Sequence, residues 1–167
     1  ERSRGLGDVY KRQIYDKMLQ WKNESGGNTA LLVEGARRIG KSTVVEEFAK
    51  NEYESYILVD FATASKEVRE LFDDVSDLNY LFLQLQLQYR KDLHERRSVI
   101  IFDEVQLCPM ARQAIKTLVK DHRYDYIETG SLISIKKNVR DMVIPSEERK
   151  VSMYPMAVSY THLTLPT

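Results

Sequence analysis

The sequence predicts an α/β domain built on a parallel, doubly wound sheet. Three observations carry that expectation. Ala30–Glu34, Tyr56–Asp60 and Ser98–Asp103 are short apolar runs without polar alternation, and Tyr124–Thr129 is a more polar fourth. Continuous apolarity of this kind marks strands covered on both faces. Helical stripes separate the runs, and strands alternating with helices argue for a doubly wound sheet. A glycine-rich loop, Gly35–Ser42, joins the first run to the first stripe.

Taken in order, Ser25-Gly-Gly-Asn28 is a turn that delivers the chain into the first strand. After the loop, Val44, Val45, Phe48 and Ala49 form one apolar helical stripe. The segment Leu78–Tyr89 fits two periods. Leu81, Leu83, Leu85 and Leu87 alternate with glutamines as in a strand, whereas Leu78, Leu81, Phe82, Leu85 and Tyr89 lie on one helical face. Leu and Gln favour helix intrinsically, and Asp77 is suited to capping it, so a helix is expected. Met110, Ala114, Ile115, Leu118 and Val119 make a last stripe behind Pro109, a residue suited to a first helical turn.

The two ends read differently. Asp8–Gln13 can be encoded by GAT GTG TAT AAG AGA CAG, and the complementary strand, read two bases in, encodes Val158-Ser-Tyr-Thr-His162. One DNA element read on opposite strands accounts for both, and it matches the transposon-end adapter of a sequencing library. Residues 1–13 and 158–167 are therefore expected to be adapter-derived and outside the fold, leaving 14–157 as the informative segment, open at its C-terminal end. That roughly 140-residue stretch suits one α/β domain. Four Lys/Arg and two Asp/Glu fall in the first 13 residues, so 21 basic residues face 23 acidic ones in the remainder. Such a balance gives no footprint for nucleic acid or an anionic membrane. Arg90, Lys91, Arg96 and Arg97 are interrupted by Asp92 and Glu95 and are expected to form a solvated helix end. No apolar run approaches the roughly 20 residues of a membrane helix. Cys108 is a single cysteine, which excludes a disulfide framework, and the expected location is cytoplasmic.

Gly35-Ala36-Arg37-Arg38-Ile39-Gly40-Lys41-Ser42 fits G-x-x-x-x-G-K-[ST] in full, with Thr43 following in the helix. This is the phosphate-binding loop of P-loop NTPases: backbone N–H groups point at phosphate oxygens, and the helix adds its positive N-terminal end. Lys41 supplies charge toward the β- and γ-phosphates, and the Ser42 hydroxyl is placed to ligate Mg²⁺. Arg37 and Arg38 either reach a phosphate or a neighbouring subunit, or face solvent. The run Val99–Phe102 ends in Asp103-Glu104. Asp103 matches the acidic partner that holds Mg²⁺ beside Ser42, and Glu104 can act as general base on the attacking water. Asp103-Glu-Val-Gln106 lacks the Asp-x-x-Gly of a GTPase, and the adjacent glutamate disfavours a small-molecule kinase. The following strand ends Glu128-Thr129-Gly130-Ser131, where Thr129 or Ser131 either contacts the γ-phosphate or belongs to an ordinary turn.

With these motifs in hand, the chain resembles a bacterial and archaeal family of AAA+-type ATPases that carry a C-terminal domain of unknown function. The resemblance rests on Leu31–Ser42, Ile100–Gln106, Glu128–Ser131 and Met153–Met156 and spans essentially all of 14–156. It implies a five-stranded parallel sheet with helices on both faces and Lys150–Tyr154 as the last strand. It also implies Mg·ATP hydrolysis coupled to a conformational change in a partner or a downstream domain, which is nuclease-like in fold. A helical lid and an arginine contributed across a homo-oligomer interface complete such sites, and Arg149 stands where the family often has an arginine before the last strand. A nucleotide-dependent switch with little turnover is the main rival reading.

Overall fold

The computed structural model describes residues 2–36, 39–131 and 148–153. Helix α1 (Arg2–Ser25) leads into strand β1 (Ala30–Gly35), then α2 (Lys41–Glu52), β2 (Ser55–Asp60), α3 (Lys66–Glu70) and α4 (Leu78–Tyr89). Strand β3 (Ser98–Asp103), a 3₁₀ turn (Val105–Leu107), α5 (Pro109–Asp121), β4 (Asp125–Ser131) and β5 (Glu148–Met153) follow. The strands form one sheet in the order β2-β3-β4-β1-β5, and every pairing is parallel. All five strands therefore end at the same edge, where an open α/β sheet binds its ligands.

Each face of the sheet carries its own core. Leu31, Val33, Val99, Ile101, Ile127, Val151 and Met153 pack against Ile14, Met18 and Trp21 of α1 and Val44, Val45, Phe48 and Ala49 of α2. The opposite face buries Ile57, Val59, Ile100, Phe102 and Tyr126 under α3, α4 and α5. There Phe61, Phe72 and Phe102 meet edge to face, with centroids 5.2–5.7 Å apart, a geometry that adds to plain burial.

Leu78–Tyr89 is a helix, and the Asp77 carboxylate accepts from the Tyr80 N–H at 3.1 Å as its N-cap. The strand-like alternation arose because Leu83 and Leu87 lie on the exposed face of α4. Pro109 begins α5 as expected, but Met110 is exposed, and the buried stripe starts instead at Ala111. The basic group is not simply a solvated helix end. Arg96 Nη2 donates to the buried Asp125 carboxylate at 2.6 Å, and Tyr53 Oη donates to the same carboxylate. Lys91 sits over the Tyr56 ring. Helix α1 was not anticipated, although Ile14, Met18 and Trp21 recur at helical spacing and are fully buried. It continues without a break through residues 2–13, where Tyr10 is partly buried against the α1–α2 core and Val9 is exposed. The expected adapter segment 158–167 lies outside the described residues.

A polar network crosses the sheet. Arg112, buried on α5, donates to Glu128 Oε1 of β4 at 3.2 Å and to both Glu148 oxygens of β5 at 2.8 and 3.1 Å. Two acids share one guanidinium, so one negative charge is in excess in a dry site. Burial, and then the neighbouring Glu148 carboxylate, push the Glu128 acid well above the ordinary glutamate range, against the pull of Arg112. The folded state thus holds a proton that the unfolded chain releases at lower pH. Stability from this group is fully present below the unfolded value and declines as pH rises through the raised folded value. Glu128→Gln, which mimics the protonated acid, should flatten that decline and match or exceed the parent's stability at pH 8. Arg112→Leu should cost about 3–5 kcal/mol, because it strands two buried acids. Urea melts of both variants from pH 5 to pH 9 would check this, and a Glu128→Gln protein less stable than the parent across that range would refute it.

Candidate functional site

The site is built where β1, β3 and β4 end. Gly35 closes β1, and it is glycine for a packing reason: a Cβ there would run into the carbonyl oxygen of Met153 on the adjacent β5. Gly40 is glycine for a conformational reason. It sits at φ 87°, the left-handed region that side-chain-bearing residues rarely adopt, and from there caps α2. Val44 N–H donates to the Gly40 carbonyl at 3.1 Å, so the helix begins immediately. Ala36 and Thr43 are exposed, and Ile39 is half-buried against the α1–α2 core. Arg37 and Arg38 lie outside the described residues.

Lys41 is buried, with its ammonium folded back along the loop. Nζ donates to the Ala36 carbonyl at 2.6 Å and to the Gly35 carbonyl at 3.2 Å. A buried ammonium needs such partners, since desolvation without them is costly. Both acceptors are loop carbonyls, which an anion can replace at the nitrogen with little movement of the backbone.

Ser42, Asp103 and Thr129 meet at one oxygen. Ser42 Oγ donates to Asp103 Oδ1 at 2.7 Å, and Thr129 Oγ1 donates to the same Oδ1 at 2.5 Å. Thr129 is fully buried and also accepts from the Glu104 N–H at 3.0 Å. Its hydroxyl is thus committed to the acidic pair. Ser131, the other candidate on that strand end, lies beside Gly35 in the β1–β4 register. Glu104 takes φ 55°, ψ 51°, which turns the chain out of β3 into the 3₁₀ turn, and Gln106 Nε2 donates to its carboxylate. Gln106 is buried; it closes the Asp103-Glu-Val-Gln106 run that carries the family resemblance, but no role had been assigned to it. The cue available in the sequence was its spacing, two residues beyond Glu104.

Arg149 is placed elsewhere. It pairs with Leu31 in the register, four residues before Gly35, or about 13 Å along the strands. Its guanidinium donates to Glu24 of α1 at 2.7 Å, an exposed contact away from the loop. An open cleft of about 360 Å³ between the end of β2 and α4, lined by Asp60, Ser65, Gln88 and Tyr89 among others, contains none of these residues.

The donor set suits a hydrated hard cation shared with a ligand. Among the described residues no group of three or more His, Cys, Asp or Glu side chains could hold a metal by itself. Ser42 and Asp103 supply one hydroxyl and one carboxylate, which matches Mg²⁺, an ion that keeps several waters and completes its shell with phosphate oxygens. Among the described residues no helix is long and apolar enough to cross a membrane.

Compared with known families, residues 27–161 match a family model described as AAA domain. No curated protein matches the chain.

The double use of Thr129 is testable. Thr129→Val keeps shape and β-branching but removes both hydrogen bonds, leaving the Glu104 N–H without its acceptor. The expected cost is about 1–3 kcal/mol, the penalty for an unsatisfied buried donor, whereas Thr129→Ser should keep most of the stability. Denaturant midpoints for the two variants give the comparison, and equal midpoints would show that the hydroxyl is dispensable.

Proposed function

The chain belongs to the AAA domain family, and from that premise we propose that it binds Mg·ATP on the Gly35–Ser42 loop and hydrolyses it, coupling the cycle to a conformational change in a downstream domain or protein partner. One observation carries this reading: Lys41, Ser42, Asp103, Glu104 and Thr129 converge at the carboxyl ends of β1, β3 and β4.

In this reading Lys41 exchanges its two loop carbonyls for β- and γ-phosphate oxygens and neutralises their charge. Ser42 and Asp103 hold Mg²⁺, which when bound supplies the main electrostatic stabilisation of the transferring phosphoryl group. Glu104 accepts a proton from the attacking water, and Thr129 fixes the backbone from which Glu104 projects. The remaining loop positions, Gly35 to Thr43, contribute backbone N–H groups and the positive end of α2. Assembly into a homo-oligomer would add an arginine from a neighbouring copy, which in related P-loop systems is worth roughly 10³–10⁵ in rate. Slow turnover by the isolated chain, together with clear ligand-dependent stabilisation, is the expected behaviour.

Melting with and without Mg·ATP should show stabilisation approaching about 2.7 kcal/mol at a hundredfold excess over Kd. Lys41→Ala should lose measurable binding by calorimetry, because a charge-assisted contact of roughly 1.5–3 kcal/mol disappears. Glu104→Gln should bind as the parent does and slow single-turnover hydrolysis by about 10²–10⁴-fold. Hydrolysis by Glu104→Gln at the parent rate would remove the base assignment. Absence of any Mg·ATP binding by the parent would remove the whole reading.

A further inference from the structure

The carboxylate of Glu104 is not free to sample its rotamers. The left-handed turn at Glu104 starts the 3₁₀ segment, closed by Leu107 N–H to the Glu104 carbonyl and by Cys108 N–H to the Val105 carbonyl, each at 3.0 Å. Val105 is fully buried in the core beneath α5, so the turn cannot shift without withdrawing it. That turn carries Gln106, only 6 % exposed, back toward the chain it came from, and its Nε2 donates to Glu104 Oε2. On the backbone side, Thr129 Oγ1 accepts the Glu104 N–H. Glu104 is therefore gripped at both ends, by Thr129 at its backbone and by Gln106 at one carboxylate oxygen.

We infer that Gln106 is a positioning residue for hydrolysis, holding Glu104 Oε2 so that Oε1 faces the attacking water. The inference rests on the reading of Glu104 as general base. Geometry gives it weight. A base must lie within hydrogen-bond reach of the proton it takes, and misplacement by about 1 Å can cost a hundredfold in rate. A glutamate has three side-chain torsions to fix, and the site fixes the last of them through an amide held in the core. Gln106 touches neither nucleotide nor water in this scheme, so its effect must pass entirely through Glu104.

That last statement sets the experiment. Single-turnover hydrolysis and the Kd for Mg·ATP are measured for the parent, Gln106→Leu, Gln106→Glu, Glu104→Gln and the double variant Glu104→Gln/Gln106→Leu. Gln106→Glu keeps the shape and loses the donor, which guards against a Gln106→Leu protein that folds poorly. Expected are a 10- to 100-fold slower step for both of these Gln106 variants at unchanged Kd, and partial recovery in a further variant measured alongside them, Gln106→His, which restores an N–H donor. In the Glu104→Gln background, Gln106→Leu should slow the reaction no further, because residues acting as one unit are not additive. Equal slowing in both backgrounds would make Gln106 merely structural and overturn the inference alone. So would a parent-like or faster rate in Gln106→Leu and Gln106→Glu. A parent-like rate in Glu104→Gln would instead remove the base assignment, and the inference with it.

Discussion

One oxygen atom, Asp103 Oδ1, ties together chain segments that are far apart in sequence. It accepts from Ser42, 61 residues earlier, and from Thr129, 26 residues later. The bond exists only because β1, β3 and β4 are parallel and end at one edge, so that α2 starts where β3 and β4 finish. A buried carboxylate tolerates this position because two hydroxyls solvate it in place of water. Thr129 then passes the constraint onward to Glu104 through the backbone N–H. Order at the candidate site is therefore a property of the sheet more than of the loop.

The sheet is held for that purpose from both sides and along its edges. Two separate apolar cores clamp the faces, and β4, in the interior of the sheet, is buried along its whole length. Three polar residues on β4 have specific partners: Asp125 is matched by Arg96 and Tyr53, Glu128 by Arg112, and Thr129 by Asp103. These pairs tie β4 to the end of β3 at Asp103, to the segments beside α2 and β3 at Tyr53 and Arg96, and to α5 at Arg112. A one-residue slip would leave several buried polar groups without partners, a larger penalty than any hydrophobic misfit at the same positions. Glu128 and Glu148 extend the same logic to β5, whose approach to β1 also depends on the missing side chain of Gly35.

What could be read from the sequence divides along the range of the interactions involved. The loop, the acidic strand end and the sheet's parallel character are local patterns: strands 30–35 and 98–103 fall within a residue of their expected bounds, and the expected stripe of Val44, Val45, Phe48 and Ala49 lies inside helix 41–52. Helix α4 was legible once intrinsic preference was set against alternation. Helix α1 was missed because its charged and polar residues dilute a narrow buried stripe of Ile14, Met18 and Trp21. The polarity of β4 blurred it as a strand because Arg96, Tyr53 and Arg112 lie at sequence distances that no local window spans. Met110 was assigned to the core for its chemistry alone, while the helix turned it outward. The roles of Thr129 and Gln106 depend on which hydroxyl and which amide the turn after β3 brings back, and that follows from the left-handed conformation at Glu104.

In the proposed cycle the same satisfaction of polar groups sets the terms of ligand binding. Lys41, Ser42 and Glu104 already have protein partners, at Ala36, Asp103 and Gln106. A phosphate arriving at the loop would replace the carbonyls at Lys41, and a cation would compete with the Ser42 proton for Asp103. Net affinity would then come from the difference between bonds broken and bonds made, which is modest for each neutral pair and larger where charge is added. Gains would therefore concentrate at Lys41 and Asp103, where neutral partners give way to a phosphate and a cation. Glu104 meets that exchange at one end only: Thr129, which holds its N–H, also donates to Asp103, whereas Gln106 at its carboxylate contacts neither the phosphate nor the metal in this scheme. The parts that bind can rearrange on loading while the carboxylate assigned to the proton transfer keeps its hold on Gln106. A site meant to hold its base steady through a cycle of binding and release needs that separation.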